Sequence, residues 1–517
     1  MEGKNWSGLW LNKIDENVSG ESRVKVETEG FSSDHRVIKT LERELRCAFS
    51  DKDLRILVKK KDGIAKEGYA VKGNANENLV EIEASDENGA LYGAFHLIRA
   101  LLTGEDYREL NIIRTPSNPL RMMNHWDNMD GSIERGYSGN SFFFVNDDIV
   151  INERTVDFAR FMASIGINGI VINNVNVKGA ATDLITTRFF DKLSQLSDIF
   201  ADYGIKLFLS LNFASPIELG GLEVCDPLDE KVIDWWKGKI KEVYDHLPNL
   251  GGFLVKADSE GRPGPFTYGR TQADGANMLA DIIKPYGGII IWRCFVYNCT
   301  QDWRDYKTDR ARAGYDYFKG LDGEYHDNVI LQIKNGPMDF QIREPVSPLL
   351  GGLTKTNQML EVQIAQEYTG HQIDLCYLIP MFREVLDFRT YCQSENDTVA
   401  DIVSGKTMGN SNAGMAAVIN TGNDFNWTGN DLAAANLYGF GRLAFDMDLS
   451  SEEIAREWVK LTFTLDKEFE DKLVDMLLNS REIYERYTSP LGIGWMVNPG
   501  VHYGPSVDGY EYSRWGT

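Results

Sequence analysis

Six charged residues, Lys256, Glu260, Arg293, Lys334, Asp339 and Glu367, each stand at or just past the end of a run that reads as a buried strand. A carboxyl group on a rigid loop donates a proton when burial or neighbouring carboxylates raise its pKa, and an ionised one can take a proton from water. Two such groups flanking a glycosidic bond are what its hydrolysis requires. Glu260 lies in Lys256-Ala-Asp-Ser-Glu260-Gly-Arg-Pro-Gly-Pro, where glycine and proline fix the loop. In isolation this motif is more simply a solvated glutamate; its recurrence at successive strand ends reverses that preference. Asp339 follows Lys334-Asn-Gly-Pro-Met, and Glu367 ends Val362-Gln-Ile-Ala-Gln-Glu367.

Three carboxylates in one pocket repel each other unless cations or chemistry accompany them. Lys256, Arg293 and Lys334 are predicted to share the layer. Either they simply neutralise the acids, or they bind a substrate that itself carries a carboxylate, for which a forked guanidinium and a nearby ammonium are suited; residue types alone leave both open. Trp126 ends the first strand of the repeat and could face a sugar ring, although a core tryptophan is commoner. His125 beside it reads as satisfying a local hydrogen bond rather than as a base.

Charged groups at successive strand ends need a scaffold that gathers loops at one face, as a (β/α)8 barrel does. Eight strand-like runs follow Arg121: Met123 to Asp127, Gly169 to Asn173, Lys206 to Asn212, Gly252 to Lys256, Gly288 to Arg293, Asn328 to Lys334, Leu360 to Ala365 and Ala413 to Ile419. Helical stretches such as Glu153 to Ile165 and Glu230 to His246 alternate with them. A doubly wound sheet would show a glycine-rich phosphate loop after its first strand, and none is evident.

The expected fold class is therefore α/β, a central barrel over residues 116–449 with a small N-terminal α/β sandwich domain, 1–115, before it. Within the latter, Val24 to Thr28, Leu54 to Val58 and Leu79 to Ala84 read as strands, and Arg36 to Phe49 and Gly89 to Leu102 as helices. Residues 450–517 begin a helical region, with Ser450-Ser-Glu-Glu as a capped start and a long amphipathic run from Asp466 to Tyr487.

The 517 residues exceed what one core normally supports. A net charge of −23 argues against nucleic-acid and anionic-membrane partners, which reward clustered Lys and Arg. The six cysteines form no C-x-x-C pair and no zinc spacing, so buried free thiols, no metal and no cofactor are expected. With no signal-like or membrane-spanning run, a soluble, cytoplasmic protein is expected.

The strings Asn124-His-Trp-Asp-Asn-Met-Asp-Gly-Ser-Ile-Glu-Arg-Gly-Tyr137, Lys256-Ala-Asp-Ser-Glu-Gly-Arg-Pro-Gly-Pro265, Tyr268-Gly-Arg-Thr-Gln-Ala-Asp-Gly-Ala-Asn-Met-Leu-Ala280 and Gln332-Ile-Lys-Asn-Gly-Pro-Met-Asp-Phe-Gln341 resemble the microbial xylan α-glucuronidases over essentially the whole chain. The resemblance implies an inverting hydrolase that removes α-1,2-linked glucuronic acid, or its 4-O-methyl ether, from xylooligosaccharides, with aldouronic acids as substrates. It implies Glu260 as general acid, Asp339 and Glu367 as the pair that holds and deprotonates water, and Lys256 and Arg293 as a clamp on the uronate. Lys334 would contact the site from the next strand, and Trp126 and Val175 would shape the 4-O-methyl pocket.

Gln272 stands where that family commonly has histidine, on the helix after the Glu260 loop, with no expected effect on activity. The chain is also expected to be short at its C-terminus, which puts the family's homodimer in doubt and leaves Trp515, a platform for xylose, poorly held. Inversion sets an expected acid-to-base separation of roughly 6.5–9.5 Å. The competing expectations are a hexosaminidase-like retaining hydrolase, whose adjacent Asp-Glu pair Asp258-Ser-Glu260 does not reproduce, and a sugar-binding protein that has lost turnover.

Overall fold

The computed structural model describes residues 7–14, 23–258, 261–294, 310–489, 498 and 501–506. Its first layer is a sheet of β1 (Lys25–Glu29), β2 (Arg55–Lys60), β3 (Tyr69–Asn74), β4 (Leu79–Ala84) and β5 (Asn111–Arg114), ordered β1-β2-β4-β3-β5. β1, β2 and β4 run parallel, while β3 is antiparallel to both its neighbours. Strand alternation turns Ile56, Val58, Val71, Val80 and Ile82 into the core beneath α1 (Arg36–Ala48) and α2 (Glu87–Thr103). The other face carries cross-strand ion pairs, Lys59 with Glu81 at 2.5 Å and Lys72 with Glu83 at 2.8 Å. Asp86 caps α2 by accepting from the Gly89 amide at 2.9 Å, and Gly104 ends it at φ +80°, where glycine carries no steric cost. β3 and β5 are absent from the sequence expectation: β3, Tyr-Ala-Val-Lys-Gly-Asn, ends on Gly and Asn, which strands disfavour, and β5, Asn-Ile-Ile-Arg, is only four residues long.

The barrel closes in the order of its strands: β6 (Leu120–His125), β9 (Gly169–Val171), β10 (Lys206–Leu211), β11 (Gly252–Val255), β12 (Ile289–Arg293), β13 (Val329–Lys334), β14 (Gln358–Gln363) and β15 (Gly414–Ile419), which pairs back to β6. A two-residue hairpin, β7 (Phe144–Val145) and β8 (Asp148–Ile149), interrupts the first crossover. The first and seventh barrel strands begin and end two to three residues earlier than expected, so Glu367 stands four residues beyond β14 rather than at its end.

Helices α3 (Glu153–Ser164), α4 (Phe190–Asp202), α5 (Ser215–Glu218), α6 (Glu230–His246), α7 (Gln272–Ile283), α8 (Arg310–Phe318), α9 (Ile379–Asp387), α10 (Val399–Val403) and α11 (Ala434–Phe445) surround the barrel or lie in its loops. α12 (Ser451–Thr462) and α13 (Lys467–Thr488) follow. α12 starts on the expected capping box, with Ser450 Oγ accepting from the Glu453 amide at 3.1 Å and Glu453 Oε2 from the Ser450 amide at 2.8 Å. No helix among the described residues is long and apolar enough to cross a membrane. Of the described cysteines, Cys225, Cys294 and Cys376 are buried free thiols, but Cys47 and Cys392 are only partly buried, a correction to the expectation for all six; Cys299 lies outside the described residues.

The first layer is keyed into the barrel floor. Arg121 at the start of β6 is fully buried; its Nη2 donates to Glu67 Oε2 at 2.7 Å and to the Tyr92 hydroxyl at 3.2 Å. A second anchor joins α2 and α11 to α12, where Glu457 accepts from Arg442 Nε at 2.6 Å and lies 3.1 Å from Arg99 Nε. Burial pushes the Glu457 carboxyl up, but Arg442 and then Arg99 outweigh it and hold the group at about 2, below the ordinary 4.5. A carboxylate with a lowered folded pKa stabilises above its unfolded value, and that contribution fades as pH falls toward the folded one. Glu457→Gln is therefore expected to lower the melting temperature at neutral pH. The gap to wild type should narrow below about pH 4.5 toward about 2, and a pH series of thermal melts reads it.

Candidate active site

Successive inward positions of the barrel strands change character along the axis. Met122, Phe208, Leu254, Ile291, Ile330 and Met359 form an apolar cluster inside the barrel, separate from the core between strands and helices. Two residues further along the strands the inward positions are Asn124, Ser210, Lys256, Arg293, Gln332 and Glu361. Asn124 Nδ2 donates to Gln332 Oε1 across the barrel at 3.4 Å, which fixes both as interior groups. The floor is thus dry and the mouth polar, as a site at the C-terminal face of a barrel requires.

Arg293 ends β12, and its Nε donates to both Glu361 oxygens, at 3.0 and 2.9 Å, over the intervening strand. The side chains are 3% and 1% exposed. Burial acts to lower the guanidinium pKa, but Glu361 outweighs it, with Asp339 and Glu134 adding, so Arg293 lies above its ordinary value. Its Nη2 has no hydrogen-bond partner among the described residues. A buried donor without a partner costs about 1–3 kcal/mol, which a ligand acceptor can recover. The guanidinium also lies 5.5 Å from the Trp126 ring centroid. Trp126 and Val175 are 7% and 3% exposed and belong to the same interior apolar cluster.

Lys334 ends β13 and donates to Asp339 Oδ1. Asp339 is held by a turn whose organiser is Glu344: its carboxylate accepts from the backbone amides of Met338 at 2.7 Å, Asp339 at 2.9 Å and Gln341 at 2.6 Å. Burial raises the Glu344 pKa against those three donors. Beyond β14, the strand's last residue clamps Glu367, since Gln363 Oε1 accepts from the Glu367 amide at 3.0 Å while Gln363 Nε2 donates to Glu367 Oε2 at 3.3 Å. Arg135 Nε donates to Glu367 Oε1 at 2.8 Å, and His502 Nδ1 lies 2.7 Å from the same oxygen. The Tyr368 hydroxyl donates to Asp339 Oδ2 at 3.4 Å.

Lys256 Nζ donates to Asn176 Oδ1 at 2.6 Å. Asn176 and Asn174 in turn donate through Nδ2 to Glu134 Oε2, at 3.3 and 2.6 Å. Glu260 lies outside the described residues, and its separation from the other carboxylates with it; Trp515 does too. The described root of the Glu260 loop is tightly built. Asp258 takes φ +52°, uncommon for a residue with a side chain, and its Oδ2 accepts from the Phe266 amide at 3.1 Å and Gln272 Nε2 at 2.8 Å. A Cβ on Gly264 would come within 2.5 Å of Asp258, so the chain returns there only as glycine. Gln272 opens α7, the expected helix, yet it is not remote from the loop, because its Oε1 also accepts from Trp292 Nε1 at 2.8 Å.

Every predicted site residue within the described part therefore stands at the barrel mouth or in its interior lining. Glu134, Arg135, Glu361 and His502 join the candidate site through these contacts, and the sequence reading did not single them out. Glu361 was findable, as the one charge, at an inward position, in a strand otherwise made of apolar residues and glutamines. Glu134 and Arg135 sit inside a quoted motif with no feature to single them out, and His502 carries no local signal. His125 is a buried structural group, bonded to Asp127 Oδ1 and Thr421 Oγ1 at 2.9 Å each.

The closed parallel barrel with its charged C-terminal mouth places the chain among the (β/α)8-barrel proteins. Residues 100–427 match the glycosyl hydrolase family 67 middle domain and 428–517 the family 67 C-terminus. The chain belongs to glycosyl hydrolase family 67. It is 46% identical over 454 residues to alpha-glucuronidase A of Emericella nidulans, covering 84% of this chain and 52% of that one. With alpha-glucuronidase A of Aspergillus tubingensis it shares 44% over 441 residues, 85% of this chain and 52% of the other. The chain thus spans about half the length of these curated relatives.

Among solved structures it is similar to a GH138 enzyme targeting pectin rhamnogalacturonan II, with a TM-score of 0.57 at 14% identity over 93% of this chain and 60% of the other. It is also similar to a family GH115 4-O-methyl-alpha-glucuronidase with specificity for decorated arabinogalactans, with a TM-score of 0.53 at 12% identity over 91% and 63%. At such identities the likeness is one of fold.

Proposed function

We propose that the protein is a xylan α-glucuronidase, hydrolysing the α-1,2 bond between glucuronic acid, or its 4-O-methyl ether, and xylooligosaccharides with inversion. The observation that carries this reading is the buried Arg293, paired through Nε with Glu361 while Nη2 is left without a described partner at the mouth that also holds Asp339 and Glu367. A donor in that setting suits an anionic sugar better than a neutral one. Membership of family 67 and the alpha-glucuronidase A names of its relatives support the sugar's identity.

In this reading Glu260 gives its proton to the xylose oxygen as the C1–O bond breaks. A water held between Asp339 and Glu367 attacks C1 from the opposite face, and its proton passes to that carboxylate pair. Lys256, Arg293 and Lys334 surround the uronate with positive charge, and Trp126 and Val175 offer the apolar wall for a methyl ether. The engagement of the Asp258 carboxylate by Phe266 and Gln272 weighs against a hexosaminidase-like role for it.

Proton NMR of the purified chain with aldotetraouronic acid tests the proposal. The β-anomer of the uronic acid is expected first, with the α-anomer growing in by mutarotation. First appearance of the α-anomer would sink inversion, and an intact substrate would sink the glucuronidase reading.

A further inference from the structure

Beyond α13 the chain comes back to the barrel mouth and buries one imidazole behind a carboxylate. The His502 side chain is 3% exposed, with Nδ1 at 2.7 Å from Glu367 Oε1. Arg135 Nε converges on that same oxygen at 2.8 Å, whereas Oε2 takes a longer bond of 3.3 Å from Gln363 among the described residues. An oxygen accepting two short donors has little capacity for a third, so Oε2 is the atom left to accept from a water. The imidazole also stacks on Tyr368, with centroids 4.7 Å apart at 22°, and Tyr368 reaches Asp339 through its hydroxyl at 3.4 Å. One buried ring thus backs both carboxylates.

The other titratable groups facing Glu367 leave this task to His502 and Arg135. Tyr137 and His371 stack at 4.3 Å beside it. Burial, then Glu367, keeps the Tyr137 hydroxyl above its ordinary pKa, while burial, opposed by Glu367, lowers that of His371. Tyr368 directs its hydroxyl to Asp339 instead.

We propose that His502 is a positioning residue for Glu367: by donating Nδ1–H to Oε1 it fixes which oxygen meets the attacking water. The proposal rests on the glucuronidase reading above for its kinetic consequences and on geometry alone for the pairing.

His502→Ala is expected to lower kcat on order of 100-fold, the scale of a misplaced reacting group, with KM nearly unchanged. His502→Asn, whose Nδ2 can occupy the Nδ1–H position, should restore most of kcat. A loss in His502→Ala that falls on KM rather than kcat, or equal loss in both variants, overturns the proposal.

The pairing has a readout without turnover. The chain has seven histidines, so the His502 Cε1–H resonance is assigned by its disappearance in His502→Asn. Its titration midpoint should fall in Glu367→Gln, and an unchanged midpoint overturns the pairing. A wild-type chain that releases no uronic acid would remove the proposed reaction, while this midpoint still decides whether His502 and Glu367 are coupled.

Discussion

Glu367→Gln is expected to lower kcat for uronic acid release by about 10²–10⁴-fold, the scale of losing a positioned proton acceptor. The effect follows from how the carboxylate is held. Arg135 and His502 both direct donors at Oε1, so a glutamine must keep its oxygen there and place its amide nitrogen where Oε2 stood. That nitrogen meets the Gln363 Nε2 donor and presents hydrogens, not lone pairs, to the water. Asp339→Asn is expected to lose a comparable factor while folding normally, because its oxygen can stay on Lys334 and the Tyr368 hydroxyl can turn to accept. Initial rates on aldotetraouronic acid, with thermal melts as the control for folding, give the comparison. A Glu367→Gln enzyme with the wild-type kcat would take Glu367 out of the reaction.

Arg293→Met should destabilise the protein and remove uronate binding at once, and the two losses can be separated. Removing one partner of a buried ion pair leaves the other charge uncompensated, at a cost of about 3–5 kcal/mol; here that charge is Glu361, 1% exposed. The single variant is therefore expected to melt well below wild type. Adding Glu361→Gln removes the stranded charge and should return much of the lost melting temperature. Affinity should not return with it, because the lost charge-assisted bonds to a carboxylate are worth about 1.5–3 kcal/mol each. Glucuronic acid should raise the melting temperature of wild type and fail to raise that of the double variant. A double variant protected as well as wild type would assign the uronate to other residues.

The barrel was legible because all-parallel strands are buried on both faces, so Gly252–Val255 and Val329–Lys334 read as near-continuous apolar runs. Strand limits drifted where polar side chains are buried: Gln358 is fully buried at the start of β14, and a glutamine there looks like loop. The charged residues at strand ends were visible for the reason that opened the sequence reading, since their chemistry is out of place after apolar runs. What holds them was not. Glu344 organises the Asp339 turn through backbone amides, which no side-chain pattern encodes, and Arg135 and His502 reach Glu367 from 232 and 135 residues away. Gln272, on the expected helix, joins Asp258 to Trp292 because a glutamine offers one donor and one acceptor at the same site.

The guanidinium of Arg121 beneath the barrel gives the N-terminal layer a standing that its size does not suggest. Its acidic partner, Glu67, and its tyrosine, Tyr92, both belong to that layer, while the arginine itself belongs to the first barrel strand. A barrel separated from the layer would leave the Arg121 guanidinium, at the foot of the strand that closes the cylinder, without its carboxylate and its tyrosine. The two parts are consequently one thermodynamic object: the layer completes the electrostatics of the barrel's underside, as Glu361 completes those of its mouth, and neither half is a module to be exchanged without the other.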